Sequence, residues 1–444
     1  MTNMLEVREY DVITCNKDYQ DSPYFQYLDE KHFGELEQFI KSYTAADDHA
    51  DALEFMKIGY KRNVGDVISL NSYVGIIELP SGFQIEVLPK ISFGEEDSQN
   101  VKTKRLFLKM LCCLKEFEGK TFNSASLNVD RMNLYEIFIN MFLQQTRNLV
   151  KHGLKSAYVQ KDENLKYYKG KLMVGQHIKE NLVHKERFHM RYDEYSINRA
   201  ENRLIKATLL KLQKKSNRQQ NVREIGQLLN SFELVDESMN YEKDFSMVNV
   251  DRATKDYELL MQWAKVFLLD KSFTTFSGAK TGKALLFPME AVFEAYVEKW
   301  VKSVFEEQSA QRFNVSAQDQ GFFLFDEPQR FQLRPDIVVR DNEGYKAPII
   351  MDTKWKKLKP NNGTNNGISQ NDMYQMYAYA KKYKTGDVWL LYPYHADVEG
   401  VGSIEYSAVI GEEEPITVHV HFVDLRDDIV SSIKKLYAKA IVEV

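Results

Sequence analysis

The chemistry open to this sequence is concentrated in Asp336, Asp352 and Lys354, which lie in 334-RPDIVV-339 and 349-IIMDTK-354. Each aspartate adjoins a short apolar run, the pattern of a buried strand that ends in charge. Side chains alternate along a strand, so Asp352 and Lys354 share a face and stand side by side. The intervening 341-DNEGY-345 is turn-forming, and the two strands are predicted to make a hairpin. Its midpoint, residue 344, falls in that turn, so antiparallel pairing sets Asp336 opposite or nearly opposite Asp352.

Opposed like charges destabilise a sheet unless something neutralises them. A hard divalent cation does so. Mg²⁺ prefers carboxylate oxygens and keeps several waters, the arrangement needed for in-line attack on a phosphodiester. Lys354 would then orient or deprotonate the attacking water, or stabilise charge developing on the phosphate. Glu294, on the amphipathic helix that precedes the hairpin, lies off the densest apolar stripe and is a candidate for a further metal-binding carboxylate. Glu290 and Glu298, four residues away on either side, compete for that role. The plainer alternatives are a strand-end ion pair for Asp352 and Lys354, a turn or cap residue for Asp336, and a solvent-facing helix position for Glu294. They explain neither the apolar runs leading into both aspartates nor the register that joins them.

These residues need elements to position them. Residues 285–308 are predicted as one amphipathic helix, with Pro288 near its first turn and Val292, Phe293, Tyr296, Val297, Trp300, Val301 and Val304 on one side. Strands follow at 321–327, 330–340 and 347–355, then a helix at 370–383 and a strand at 386–393, giving the order αβββαβ. More strand over 403–424 and a closing helix complete the chain. Upstream, 63–90 alternates apolar and polar residues around Pro80-Ser81-Gly82 and reads as a β-hairpin or small meander. Helical periodicity takes over at 101–156, extended segments around glycines at 164–195, and helices at 196–215, 221–235 and 251–270. The stretch 359-KPNNGTNNGISQN-371 reads as a loop.

The 444 residues are 43% hydrophobic and 28% charged, ordinary globular composition with room for two or three domains. There is no run of 18 apolar residues and no N-terminal signal pattern, so a cytoplasmic protein without a membrane span is expected. Three cysteines, Cys15, Cys112 and Cys113, make neither a disulfide framework nor a zinc spacing. A net charge of −5 excludes a polybasic binder but leaves room for a nuclease whose basic residues are local. The tempting 278-GAKTGKA-284 has three residues between its glycines and Ala284 after Lys283, so it fails as a phosphate-binding loop. His419 and His421 share a strand face but lack a third ligand.

Taken together, the PD-x15-DTK arrangement, the helix before it and 372-DMYQMYAYA-380 after it resemble the PD-(D/E)XK nuclease fold, specifically the McrC family of restriction subunits. Gln375 and Tyr379 match the Q-x-x-x-Y element that follows the active site in a subset of these nucleases; helix packing is the plain alternative for Tyr374, Tyr377 and Tyr379. The segments 74-VGIIELPSGFQIEVLPKI-91 and 192-YDEYSINRAENRLIKATL-209 are also similar to McrC proteins. The chain departs from the family in its length and in Trp355, where tyrosine is more usual.

The resemblance implies an α+β, multidomain protein. It would have a partner-binding region over 1–245, β-rich over 1–100 and built of helical and hairpin segments over 101–245. A C-terminal PD-(D/E)XK α/β domain would follow over 246–444. The implied function is that of a Mg²⁺-dependent DNA endonuclease subunit, acting on double-stranded DNA and docking on a ring-forming AAA+ GTPase of the McrB type. Its catalytic residues would be Asp336, Asp352, Lys354, Glu294, Gln375 and Tyr379. A non-catalytic activator of such a ring and a stand-alone repair nuclease are the alternatives. Residues 164–195 are the candidate inserted element, a hairpin suited to a polar channel, with an ordinary hairpin packed on its own domain as the alternative.

Overall fold

The computed structural model describes residues 4–46, 55–91, 97, 100–114, 132–249, 252–269, 283–359, 364–401, 404–409, 415–426 and 428–442. The chain opens with β1 (Met4–Arg8), β2 (Val12–Thr14), β3 (Gln26–Tyr27) and α1 (Glu30–Ala46), then β4 (Met56–Lys61), β5 (Gly65–Leu70), β6 (Tyr73–Glu78) and β7 (Gln84–Leu88). β6 and β7 pair antiparallel across the predicted turn, where Gly82 supplies a φ of 83°. Glu86 of β7, fully buried, takes Lys104 Nζ at 3.0 Å and the Leu134 N–H at 2.7 Å. It thereby satisfies a free N–H at the first turn of a helix and pairs a buried cation.

The middle of the chain contains α2 (Val101–Leu111), α3 (Leu134–His152), β8 (Ala157–Leu165), β9 (Lys171–Leu172), α4 (Val174–Asn181), β10 (Phe188–Ser196), α5 (Ala200–Lys215), α6 (Gln219–Asn230), α7 (Tyr241–Met247) and α8 (Glu258–Leu269). The segment read as extended over 164–195 therefore holds a helix, α4, whose short stripe of Val174, Ile178 and Leu182 was hidden among charged residues. β8 and β10 form a nine-residue antiparallel ribbon, laced by Arg191 to Asp162 at 2.6 Å and Lys161 to Glu194 at 2.5 Å. At its base Asn202 donates to the carbonyls of Lys155 and Ile197 and accepts from Tyr257, which accounts physically for the polar 198-NRAENR-203 motif.

The expected helix over 285–308 begins later. Leu285, Leu286 and Phe287 belong to β11 (Lys283–Pro288), which pairs antiparallel with β6 and completes a sheet of order β1-β7-β6-β11. Pro288, without an N–H, stands at the N-cap of α9 (Met289–Gln308). The glycine at position 75 is forced: a Cβ there would meet Leu285 O at 1.9 Å. Residues 278–282 of the failed phosphate loop lie outside the described residues.

β12 (Phe313–Ala317), β13 (Phe323–Asp326), β14 (Gln329–Gln332), β15 (Ile337–Asp341), β16 (Ile349–Thr353), α10 (Gln370–Tyr383), β17 (Asp387–Pro393), β18 (Ile404–Ala408), β19 (Ile416–Val423) and α11 (Ile429–Tyr437) follow. Two departures from expectation stand out. β12 falls between the expected helix and the next expected strand, where no element is expected, and the single strand expected over 330–340 is two, because Pro335 interrupts the backbone donors between β14 and β15. The large sheet has order β12-β15-β16-β17-β19-β18, antiparallel from β12 to β16 and parallel from β16 through β17 to β19.

Period-2 alternation divides this sheet between two helices. Ile337, Val339, Ile349 and Met351 face α9 in an apolar core that continues through Trp263 and Phe138 to Val74 of β6. Val338, Ile350, Val388 and Leu390 face Met376, Tyr379 and Tyr383 of α10. One face of β6 and the end of β7 thus share a core with the large sheet, while β1, β2, β4 and β5 pack with α1 in a second one. Among the described residues no helix is long and apolar enough to cross a membrane.

Candidate active site

The hairpin register is the predicted one. Ile337 pairs with Met351, Val338 with Ile350 and Val339 with Ile349, so one further step sets Asp336 opposite Asp352. β15 starts only after Asp336, which leaves the Thr353 N–H without a ladder carbonyl. The Asp336 carboxylate replaces it: Oδ2 accepts from both the N–H and the hydroxyl of Thr353 at 2.7 Å. Thr353 went unnoticed in the sequence because alternation sends its side chain to the face opposite Asp352 and Lys354.

Asp352 is 1% exposed and points to the α10 face, as do Ile350 and Lys354. Lys354 Nζ stands 2.5 Å from Asp352 Oδ2. The ammonium so close to Oδ2 offsets part of the cost of burying that carboxylate. Lys354 Nζ also donates to Gln375 Oε1 at 3.1 Å. The Gln375 amide reaches Tyr379 Oη at 2.7 Å and Asp352 Oδ1 at 3.5 Å, and Tyr379 Oη donates to the Arg334 carbonyl at 2.9 Å. Gln375 and Tyr379, one turn apart on α10, thus brace the lysine and the chain leading into Asp336.

Charge follows from this burial. Desolvation, and then the negative charge of Asp336, push Asp352 up to about 7 against the pull of Lys354. Burial also raises Asp336, opposed by the two Thr353 hydrogen bonds. For Lys354 burial disfavours the ammonium, but Asp352 and Asp336 outweigh it and hold the group above its ordinary value. Asp372, 7% exposed in the first turn of α10, adds negative potential at both residues while pairing with Lys356 at 3.0 Å. Its sequence signal was the Ser369-x-x-Asp372 cap, in which the serine hydroxyl accepts the Asp372 N–H at 3.2 Å.

The arrangement brings together Asp336, Asp352, Lys354, Gln375 and Tyr379. Glu294 Oε1 accepts from Gln318 Nε2 at 2.9 Å, and the Gln318 backbone N–H donates to the Asp336 carbonyl at 2.8 Å. Glu290 acts on Glu9, Tyr10 and Lys90 instead. Among the described residues no set of three or more His, Cys, Asp or Glu side chains is placed to hold a metal ion. The donor set, two carboxylates opposed across the hairpin, is of the chemistry that a hard cation keeping most of its waters takes. His419 is engaged elsewhere, 3.2 Å from Asp387, 3.3 Å from Glu405 and stacked on Trp389.

A family described as McrBC 5-methylcytosine restriction system component matches residues 68–393. A chain of a solved half-complex from a tetradecameric assembly of Thermococcus gammatolerans McrB AAA+ hexamers with bound McrC is similar over 99% of this chain and 100% of that one, at 17% identity and a TM-score of 0.65. A chain of the Thermococcus gammatolerans McrBC complex is similar over 68% of this chain and 88% of that one, at 19% identity and a TM-score of 0.43. No curated protein matches.

Proposed function

The chain belongs to the McrBC 5-methylcytosine restriction system component family, and from that premise we propose that it is the DNA-cutting subunit of such a system, with a PD-(D/E)XK nuclease centre. The observation that carries this reading is the register that opposes Asp336 and Asp352, with Lys354 ion-paired beside them. A non-catalytic activator of a ring has no need of two carboxylates and a lysine gathered at a strand end, at the cost of burying Asp352.

Mg²⁺ held by Asp336 and Asp352 would polarise the scissile phosphate and lower the pKa of a bound water. The chain's own groups supply the rest. Lys354, kept protonated by its two aspartates, stabilises charge developing on the phosphoryl oxygens and is poorly suited to act as a base. Gln375 fixes the ammonium, and Tyr379 ties α10 to the Arg334 carbonyl, so that the two strand ends keep their spacing.

The fold likeness to a chain of an assembly of McrB hexamers with bound McrC supports docking on an AAA+ GTPase ring. The β8–β10 unit is the docking element in this reading. On α4, Val174, Ile178 and Leu182 are 58%, 58% and 73% exposed, an apolar stripe at one-turn spacing beside the exposed Tyr167 and Tyr168. The division of labour places partner binding in the first 245 residues and cutting after residue 246, with β11 returning to complete the N-terminal sheet.

The test is single-turnover cleavage of duplex DNA carrying 5-methylcytosine, with Mg²⁺, GTP and the cognate AAA+ partner. The wild-type chain cuts and Asp352→Asn does not, while both raise GTP hydrolysis equally. Cutting by Asp352→Asn at the wild-type rate overturns the reading.

A further inference from the structure

Lys354 is the last residue of its strand that the sheet holds. Its N–H donates to Leu391 O at 2.8 Å, and β16 has already ended at Thr353. The next residue is secured by a different part of the chain. Trp355, 1% exposed, donates its indole N–H to Glu9, at 2.8 Å to Oε2 and 3.1 Å to Oε1. The Trp355 carbonyl accepts from Lys90 Nζ at 2.7 Å.

Glu9 and Lys90 are set together by the N-terminal sheet. They follow the paired ends Arg8 and Leu88 of the parallel strands β1 and β7. The Glu9 N–H donates to Leu88 O at 3.0 Å, and the Lys90 N–H returns to Glu9 Oε1 at 3.0 Å. The Lys90 ammonium also lies over the rings of Tyr10 and Trp355, at 4.7 and 5.0 Å. Phe293 of α9 closes the other side of the indole, at 5.2 Å. Glu290, Lys356 and Lys357 add charge around the pair.

We propose that Glu9 and Lys90 form a clamp on Trp355 that positions Lys354 for cleavage, making them positioning residues of the nuclease centre. This inference rests on the nuclease reading above. The physical reason is that the lysine ammonium has to meet the phosphate within a fraction of an ångström, and the frayed end of a strand does not hold its Cα that closely by itself. The sheet fixes one side of Lys354 through Leu391. The clamp fixes the other through Trp355, whose two polar groups are both engaged by the N-terminal sheet.

The test uses the full chain with its AAA+ partner, Mg²⁺ and methylated duplex DNA. Lys90→Met removes the ammonium and keeps the stem; Glu9→Gln keeps an acceptor for the indole and removes the charge. Lys90→Met lowers the single-turnover rate constant at saturating DNA at least about 10-fold, and Glu9→Gln lowers it several-fold. The DNA concentration for half-saturation and the stimulation of GTP hydrolysis stay within about two-fold of wild type. In 5-fluorotryptophan-labelled protein the ¹⁹F line of Trp355, assigned through Trp355→Phe, moves in both variants.

Undiminished rates in both variants, with cutting abolished in Asp352→Asn, overturn the clamp and leave the nuclease reading intact. A fall in DNA binding and GTPase stimulation equal to the fall in rate assigns the pair to folding alone and overturns the positioning role. Wild-type cutting by Asp352→Asn overturns the nuclease reading, and the clamp with it.

Discussion

Asp336 reaches past its register partner and takes both the backbone N–H and the hydroxyl of Thr353, each at 2.7 Å. One carboxylate oxygen is thereby committed to structure, so in the proposed nuclease centre Asp336 would offer a cation its other oxygen. Thr353→Val removes the hydroxyl bond and keeps the N–H bond. It should cost about 1 kcal/mol in chemical denaturation and slow cutting several-fold, whereas Asp336→Asn should slow cutting at least about 100-fold. Equal effects of the two substitutions on the cleavage rate would contradict the assignment.

The buried carboxyl of Asp352 predicts a pH dependence for the metal-free protein. Burial and Asp336 push it up to about 7 from an ordinary 3.8, so between those values the folded chain binds the proton more tightly than the unfolded one. Stability should therefore fall as pH rises from about 4 to about 7, with no contribution below about 4, where both states are protonated. Glu9, raised to about 7 by burial against the pull of Lys90, acts in the same direction. Melting temperature against pH in EDTA measures the slope, which Asp352→Asn should flatten. Identical slopes for wild type and variant would count against the shift.

Tyr379→Phe leaves the Arg334 carbonyl without the tyrosine donor and the Gln375 amide with only its longer contact to Asp352. The expected cost is about 1–3 kcal/mol of stability. Cutting should fall less than in Lys354→Ala, because the ammonium remains. Denaturation midpoints and single-turnover rates on the two variants decide the order.

Gly75 is predicted to be the least replaceable glycine at the junction of β6 and β11. Alanine there drives a Cβ into Leu285 O and requires a φ of 148°. Separating the strands exposes the apolar seam between the N-terminal sheet and α9, so Gly75→Ala should destabilise the whole chain by more than about 2 kcal/mol. A midpoint within error of wild type in a urea titration would show that the strands can move apart freely.

The α4 stripe gives a test of docking that leaves the nuclease centre untouched. Ile178→Asp with Leu182→Asp should abolish stimulation of the partner's GTP hydrolysis while circular dichroism stays unchanged, since both side chains are exposed. Undiminished stimulation would move the contact to another surface.

The sequence by itself determined the parts of this protein whose causes are local. The hairpin of β15 and β16 spans fewer than twenty residues, and its turn and period-2 pattern fix the opposition of Asp336 and Asp352. The i, i+4 spacing of Gln375 and Tyr379 set both on one helical face. Tertiary structure decided what joins distant segments. Trp355 and Glu9 are 346 positions apart, Lys90 and the Trp355 carbonyl 265, and no periodicity in either segment refers to the other. β11 looked like the start of a helix because a short apolar run carries no signal of its partner, and β6 supplied the ladder that made it a strand. Glu294 lay on a plausible helix face, but whether a helix residue reaches a strand end depends on how far the helix is turned about its axis. That turn is set by packing of Val292, Phe293 and Val297 against the sheet, and Glu294 takes Gln318 Nε2, whose own backbone N–H holds the Asp336 carbonyl.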